Sequence, residues 1–334
     1  MMMQSISEIH SRIQTEYRLM QNEYETAKQS AEAELYAAYP RIAQIDGEIA
    51  SLAIKSAREV IDGNMTSSEA ADYVKRESER LKEERARIIA DNKIIEYTPA
   101  YECPHCKDVG YTSDGKKCGC YMRKIQQKLL LPGERGENAV LKKSSFDKFN
   151  LSYYSNEDDP TIGVSPRDVM KVVFAGCIKY AHNFSGEDSG NLLLCGPSGL
   201  GKTLLAASIA NYVTAKGYLV IYKSAYKIFQ FFEDFKFGKI DRDAYSVIYD
   251  SVYDCDLLVI DDFGTEFITS YTQSVFFDLL STRLSAGKST IISTNLPLEK
   301  ISDIYQERVM SRLKNEFDVF RFAGTDVRSI IKNK

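Results

Sequence analysis

The chain is short of imidazole and has no indole. Its 334 residues include three histidines, His10, His105 and His182, and no tryptophan. That leaves little room for histidine-based catalysis or a multi-histidine metal site. Long apolar runs are also missing. Runs such as Leu192–Cys195 and Leu257–Ile260 fall far short of the ~20 residues a transmembrane helix needs. The first twenty residues hold no apolar signal core, because Glu8, Arg12, Glu16 and Arg18 interrupt them. The expectation is a soluble, cytoplasmic protein with no membrane partner. Charge of one sign is scarce too. A net charge of -4 names no partner by itself, but the charge is unevenly spread: -5 over residues 1–100, +4 over 101–150 and -3 beyond.

The basic middle coincides with a cysteine cluster. Seven cysteines in a cytosolic chain argue against a disulfide framework. Four of them form two short knuckles, Cys103-Pro-His-Cys106 and Cys118-Gly-Cys120. Paired thiolates beside Pro and Gly are how a chain wraps tetrahedral Zn²⁺. His105 could replace one of them, and a redox C-x-x-C, an iron–sulfur cluster or unligated thiols are the alternatives. A site with all four ligand positions filled stabilises a small fold and does no zinc chemistry. The surrounding Lys107, Lys116, Lys117, Arg123, Lys124 and Lys128 form either a solvated face or a contact for nucleic-acid phosphates. Cys177, Cys195 and Cys255 lie in apolar stretches and read as small buried hydrophobes.

Residues 4–97 read as helix. Ile6, His10, Ile13, Tyr17, Met20, Tyr24, Ala27 and Ala31 recur at alternating spacings of three and four, a heptad-like seam. Pro40 should break or kink that helix. A second stripe follows at Ile42, Ile45, Ile49, Leu52, Ser56 and Val60, then a turn at Asp62-Gly63-Asn64. Thr66-Ser-Ser-Glu69 fits a capping box opening a third helix to about Asn92. Such an arm is either a spacer or oligomerisation element, or a docking surface. A short helix is expected over Tyr121–Leu131, ended by Pro132-Gly133. From Asn191 onward, apolar β-type runs alternate with helical stretches. The candidate strands are Asn191–Cys195, Tyr218–Tyr222, Leu257–Ile260, Thr290–Ser293 and Val319–Phe322, the pattern of a parallel sheet between helices. The expected division is a helical hairpin or coiled-coil-like arm at 1–97, a Cys₄ zinc module with a short helix at 98–131, a linker at 132–163 and an α/β domain at 164–334.

The sharpest motif is Gly196-Pro197-Ser198-Gly199-Leu200-Gly201-Lys202-Thr203, which fits G-x-x-x-x-G-K-[ST] with a strand before it and a helix from Leu204 after it. Glycines let such a loop curl its N–H groups toward phosphates, and the helix N-terminus favours the same anion. Lys202 would reach the β- and γ-phosphates, and the Thr203 hydroxyl would ligate Mg²⁺. The metal needs an acidic partner, and Asp256-Leu-Leu-Val-Ile-Asp261-Asp262 supplies two carboxylates at a strand's end. Asp261 would hold Mg²⁺ through water and Asp262 would orient the attacking water. Asn295, closing Ser293-Thr294-Asn295, could touch the γ-phosphate. Arg308 and Arg312 share a helix face and could act on a neighbouring subunit's site, and Arg328 could fold back onto the nucleotide; solvated or salt-bridged arginines are the alternative. The aromatics Tyr226, Phe229, Phe231, Phe232, Phe235 and Phe237, interleaved with Lys223, Lys227, Lys236 and Lys239, are either core or a stacking platform for single strands. Phe146 and Phe149 either border the adenine or pack in the core.

These elements in this order resemble the AAA+ ATPases. The runs Phe149–Ser155, GPSGLGKT, LLVIDDFGTE, STNL, ERVMSRL and FRFAGTDVRS together resemble the DnaC/DnaI-type loaders of the bacterial replicative helicase, over about residues 140–331 and more loosely over the cysteine cluster. The resemblance implies a P-loop NTPase domain with a five-stranded parallel sheet. It implies Lys202 and Thr203 as Walker A, Asp261 and Asp262 as Walker B, Asn295 as sensor 1, Arg312 as an arginine finger acting in trans and Arg328 as sensor 2. It further implies ATP hydrolysis, self-association through AAA+ domains, binding of single-stranded DNA, and delivery of a DnaB-type hexameric helicase in a primosome. The sister group, transposition ATPases acting with a transposase on duplex DNA, shares the motifs. An ATP-binding scaffold with little turnover is the remaining alternative.

Overall fold

The computed structural model describes residues 6–129, 131 and 139–332. The expected helix stop at Pro132-Gly133 and the first part of the expected linker lie outside the described residues, as do the outermost residues of the arm and of the C-terminal domain. The chain divides into two compact units. One is Glu16–Asp108. The other joins the residues up to Thr15 with those from Val109 onward.

Helix α1 (Ile6–Ala38) ends just before Pro40, which heads α2 (Pro40–Ile61). A proline lacks the N–H that a first helical residue would leave unpaired anyway, so it starts a helix well and cannot continue one. Thr66 caps α3 (Ser67–Asp91). Its hydroxyl accepts the Glu69 N–H at 3.3 Å and the Glu69 carboxylate accepts the Thr66 N–H at 2.9 Å, the expected capping box. In the first unit α2 and α3 form a hairpin around Ile45, Leu52 and Leu81, with Ile49 and Ile88 packed against them. Arg41 to Glu84 at 2.8 Å and Arg85 to Asp46 at 2.9 Å tie the two helices together. Such partly exposed pairs contribute little each, so the small apolar cluster is what holds the hairpin.

In the second unit α4 (Gly119–Lys128) begins earlier than the expected short helix and stops sooner. It is followed by α5 (Ala139–Lys143), 3₁₀ turns at Phe146–Lys148 and Leu151–Tyr153, and α6 (Pro166–Asn183), capped by the Ser165 hydroxyl. The α/β part runs β1 (Asn191–Cys195), α7 (Lys202–Ala215), β2 (Val220–Ser224), α8 (Ala225–Lys236), α9 (Arg242–Asp254), β3 (Leu257–Phe263), α10 (Ser270–Ser285), β4 (Ser289–Thr294), α11 (Leu298–Glu316), β5 (Phe317–Arg321) and α12 (Val327–Lys332). The five strands pair in parallel in the order β2-β3-β4-β1-β5. β1, β3 and β4 at the centre are buried almost throughout, as strands covered on both faces are, whereas the edge strand β5 is buried only at Phe317. All five expected strands exist; the first has the expected bounds and the other four have shifted ends. The second begins at Val220, since Gly217 at φ +95 still belongs to the turn. The last begins at Phe317, where pairing with Asn191 starts.

Within the segment expected as a linker, residues 141–154 pack on the α/β domain, whereas 155–163 are almost all exposed. Asn211 Nδ2 donates to the Leu141 and Ser144 carbonyls at 2.7 and 2.8 Å, and Phe149 and Tyr154 are buried in the α/β core. Helix α4 lies on α7 so closely that a Cβ at Gly119 would meet the Ala215 Cα at 2.6 Å. Most of the aromatic segment proves to be core. Phe229, Phe231 and Phe232 are buried, Phe235 stacks on Tyr249, and Tyr226 and Phe237 are exposed. Phe149 stacks on Phe174 with ring centroids 4.9 Å apart. Among the described residues no helix is long and apolar enough to cross a membrane.

Leu81 is 1% exposed in the α2–α3 hairpin. Leu81→Ala should cost that unit about 2–5 kcal/mol, read by chemical denaturation followed through helix content. A loss below about 0.5 kcal/mol would mean that the hairpin is not packed as described.

Candidate functional site

The first phosphate-loop residue must turn sharply off a buried strand. Gly196 has φ +143, and a Cβ there would meet the Phe322 carbonyl at 2.5 Å. Gly199 and Gly201 have φ +80 and +85, a region costly for residues with a Cβ. Gly201 then caps α7, which points its N-terminus into the loop. The Lys202 ammonium is enclosed by this curl and donates to the Gly196 and Pro197 carbonyls at 2.6 and 2.7 Å. Burial lowers its pKa, while Asp262, Cys195 and Asp261 oppose that shift. Leu200 is buried, and its carbonyl accepts the Tyr154 hydroxyl at 2.9 Å. Ser198 and Leu204 fall in the loop and first helical turn, as the motif required.

Strand β4 separates β1, which leads into the loop, from β3, which carries the carboxylates. The Thr203 hydroxyl nevertheless reaches Asp261 Oδ1 at 3.2 Å. Asp261 is 5% exposed and collects two further hydroxyls. Tyr222 on β2 donates to Oδ2 at 2.5 Å, and Ser293 on β4 donates to Oδ1. The same Ser293 oxygen accepts the Asp262 N–H at 3.0 Å. The β3–β4 register shifts between Ile260 and Phe263, and Asp262 takes φ +54. This irregularity faces Asp261 inward and leaves Asp262 solvent-accessible. Burial of its surroundings and the neighbouring Asp261 push the Asp262 carboxyl above the usual range, against Lys202 and Arg328. Burial, with Asp261 close by, likewise keeps the Tyr222 phenol protonated. Thr203 and Asp261 offer adjacent hard oxygen donors, the donor set that suits Mg²⁺.

The remaining expected residues are spread more widely. Asn295 is exposed and lines a cavity of about 520 Å³ together with Gly196, Pro197, Glu299 and Phe322. Arg328 lies near the loop. The Val327 N–H bonds the Gly199 carbonyl at 3.1 Å, and the Arg328 charge is felt by both Lys202 and Asp262. Its guanidinium pairs with Asp326 at 2.9 Å. The α11 arginines engage groups away from the loop. Arg312 sits over the Phe277 ring at 4.2 Å, and Arg308 is exposed. Sequence reasoning missed Tyr222 and gave Ser293 no role. The available signal was strand alternation: Ser293 shares a face with Asn295, and Tyr222 lies two residues before Ser224, the register partner of Asp261.

The sulfurs of Cys103, Cys106, Cys118 and Cys120 lie within 4.8 Å of one another, the first three residues buried. Thiolates around a tetrahedral Zn²⁺ sit about 3.8 Å apart, so this soft donor set could bind zinc. His105 is not part of the group. None of the seven cysteines is in a disulfide.

A parallel α/β sheet with this curled loop and acidic strand end calls for comparison with nucleotide-binding proteins. Residues 181–314 match the family of IstB-like ATP binding proteins. The replicative helicase loader DnaC of Buchnera aphidicola subsp. Baizongia pistaciae is 23% identical over 182 residues, which cover 54% of this chain and 68% of that protein. DnaC of Escherichia coli K12 is 27% identical over 136 residues, 41% of this chain and 54% of that protein. The chain therefore spans about half to two thirds of these relatives. The crystal structure of the DnaC helicase loader superposes with a TM-score of 0.46 at 18% identity, covering 56% of this chain and all of that one. The chain is thus similar to IstB-like ATP binding proteins over residues 181–314, a stretch preceded by helices and the cysteine cluster, and to the DnaC helicase loaders.

Gly196→Ala should destabilise the IstB-like domain by more than about 1 kcal/mol, because backbone and not a flexible side chain occupies the space. Denaturation curves test this; an unchanged midpoint would contradict the loop geometry.

Proposed function

We propose that this chain binds and hydrolyses ATP at the phosphate loop and uses that cycle to load a DnaB-type replicative helicase onto single-stranded DNA. The observation behind the nucleotide reading is the meeting of Thr203 and Asp261 at 3.2 Å across an intervening strand. Helix and loop propensity do not require that contact, and nucleotide-bound Mg²⁺ uses such a pair. Thr203 and Asp261 would hold the ion, which when bound neutralises phosphate charge. The N–H groups from Gly199 to Thr203 cradle phosphate oxygens. Lys202 leaves its two loop carbonyls for the β- and γ-phosphates. Asp262, exposed and accessible to water, orients the attacking molecule, with Asn295 beside it. Arg328 exchanges Asp326 for phosphate, and Arg312, with Arg308 as the less favoured candidate, completes the site of a neighbouring subunit.

The helicase part of the reading rests on similarity to the DnaC proteins. It is supported by what precedes the IstB-like domain, a helical region and a Cys₄ site, which a nucleotide switch alone does not need. Divided functionally, residues 1–97 form the arm, 98–131 the zinc module, 132–163 the connection and 164–334 the ATPase domain. The four thiolates would hold Zn²⁺ as a structural element.

The test is a pull-down of the host's replicative helicase with the full chain, with and without ATP, beside a steady-state ATPase assay with and without single-stranded DNA. Helicase capture with DNA-responsive turnover is expected. Capture of a transposase on duplex DNA, with no helicase, would overturn the loading role. Lys202→Ala should abolish nucleotide binding; unchanged affinity would remove the phosphate-loop assignment.

Metal analysis of the purified full chain should find about one zinc per molecule, with Cys106→Ser losing most of it. A folded wild-type chain free of metal would exclude the Cys₄ site.

A further inference from the structure

Four residues past Asp262 stands a carboxylate that the motif chemistry leaves without a task. Glu266 is 6% exposed. Its Oε2 accepts the Gly264 N–H at 2.8 Å, and its Oε1 accepts the Tyr305 hydroxyl. Tyr305 is 1% exposed and belongs to α11, the helix that also carries Arg308 and Arg312. Burial pushes the Glu266 carboxyl above its usual range, and nearby N–H groups oppose that. A buried carboxyl is costly unless bonded, so its two bonds fix both partners.

What Glu266 holds is the turn that presents Asp262. That turn is unusual at each step. Asp262 has φ +54 and Gly264 φ +99. The Thr265 hydroxyl bonds back to the Asp262 carbonyl at 2.8 Å. A Cβ at Gly264 would meet the Leu296 side chain at 2.4 Å, so the turn presses on the residue after Asn295. The Phe263 ring stacks on Tyr305 with centroids 4.7 Å apart. Left-handed backbone at a non-glycine residue persists where its surroundings over-determine it, and here they come from Glu266, Leu296 and Tyr305.

We propose that Glu266 and Tyr305 are positioning residues that lock the Asp262 turn and the arginine-bearing helix α11 into one unit. They touch neither phosphate nor metal. Glu266 closes the turn through the Gly264 N–H and anchors it to α11 through the Tyr305 phenol. The geometry at Asp262 and the placement of Arg308 and Arg312, one and two helical turns beyond Tyr305, are thereby coupled. The consequence for turnover rests on the ATPase reading above; the mechanical link does not.

Two measurements on the full chain separate these. Hydrogen exchange reads the link itself. Tyr305→Phe and Glu266→Ala should each speed exchange both in the 262–268 turn and in the 298–310 part of α11, leaving β1 and α7 unchanged. Glu266→Gln, which keeps the shape and an acceptor oxygen, should largely restore protection. Exchange that rises in only one segment, or in neither, overturns the proposal. Steady-state kinetics read the consequence. With nucleotide affinity within about twofold of wild type, kcat should fall about ten- to hundredfold in Glu266→Ala and Tyr305→Phe. The double variant should lose no more than the worse single one, as residues acting as a unit do. An unchanged kcat in folded variants overturns the positioning role. A wild-type chain that binds ATP without turnover refutes the ATPase reading instead, and exchange still decides the link.

Discussion

The architecture of the site turns on one buried carboxylate. Asp261 is withdrawn from water at the end of β3, and a carboxylate in such a place is tolerated only when hydrogen bonds replace the water it lost. The three hydroxyls that do so come from three elements: Thr203 from the helix after the phosphate loop, Tyr222 from β2 and Ser293 from β4. None is a neighbour of Asp261 in the chain. Satisfying this single group therefore requires the sheet order, the curl of the loop and the register of β2 and β4 to be right together.

The strand order explains why the intervening position is a serine. The phosphate loop leaves β1, the acidic residues close β3, and β4 runs between them. A small hydroxyl on β4 serves both acidic residues, donating to Asp261 and accepting the Asp262 N–H. The left-handed backbone at Asp262 then separates the two carboxylates into a buried one and an exposed one. Adjacent identical side chains thus acquire different roles, one suited to holding a cation and the other to meeting water. Tyr305 and Glu266 extend the same logic outward, joining the acidic turn to α11.

Around this centre the rest of the second unit is support. Helix α7 carries Leu205, Ala206, Ala207, Ile209, Ala210 and Val213 buried, and its small residues let it lie close against the sheet. Its far end is held by α4, where Gln126 Nε2 donates to Thr214 and to the Val220 carbonyl at 2.9 and 2.8 Å. The first unit is simpler, an α2–α3 hairpin whose small apolar cluster is framed by ion pairs.

Much of this was legible in the sequence because it is local. The phosphate loop is a contiguous pattern whose glycines take left-handed or otherwise positive-φ backbone. The Thr66–Glu69 capping box, the start of α2 at Pro40 and the five apolar runs each depend on residues within a few positions of one another. The two cysteine knuckles were readable for the same reason, as short spacings of soft ligands. Strand ends were less legible, since pairing partners and not propensity determine where β2 and β5 begin. Residues 139–154 read as part of a linker because the segment's composition is polar. The apolar residues that anchor them, Phe149 and Tyr154, find partners in each other, in α6 and in the phosphate loop. What tertiary structure alone decided were the long-range contacts: that Tyr222 and Ser293 complete Asp261, that Glu266 reaches Tyr305, and that Phe229, Phe231 and Phe232 of the aromatic segment face the core. A hydrogen bond between residues distant in the chain leaves no periodic trace in the sequence, because its geometry exists only once the strands between them are stacked in order.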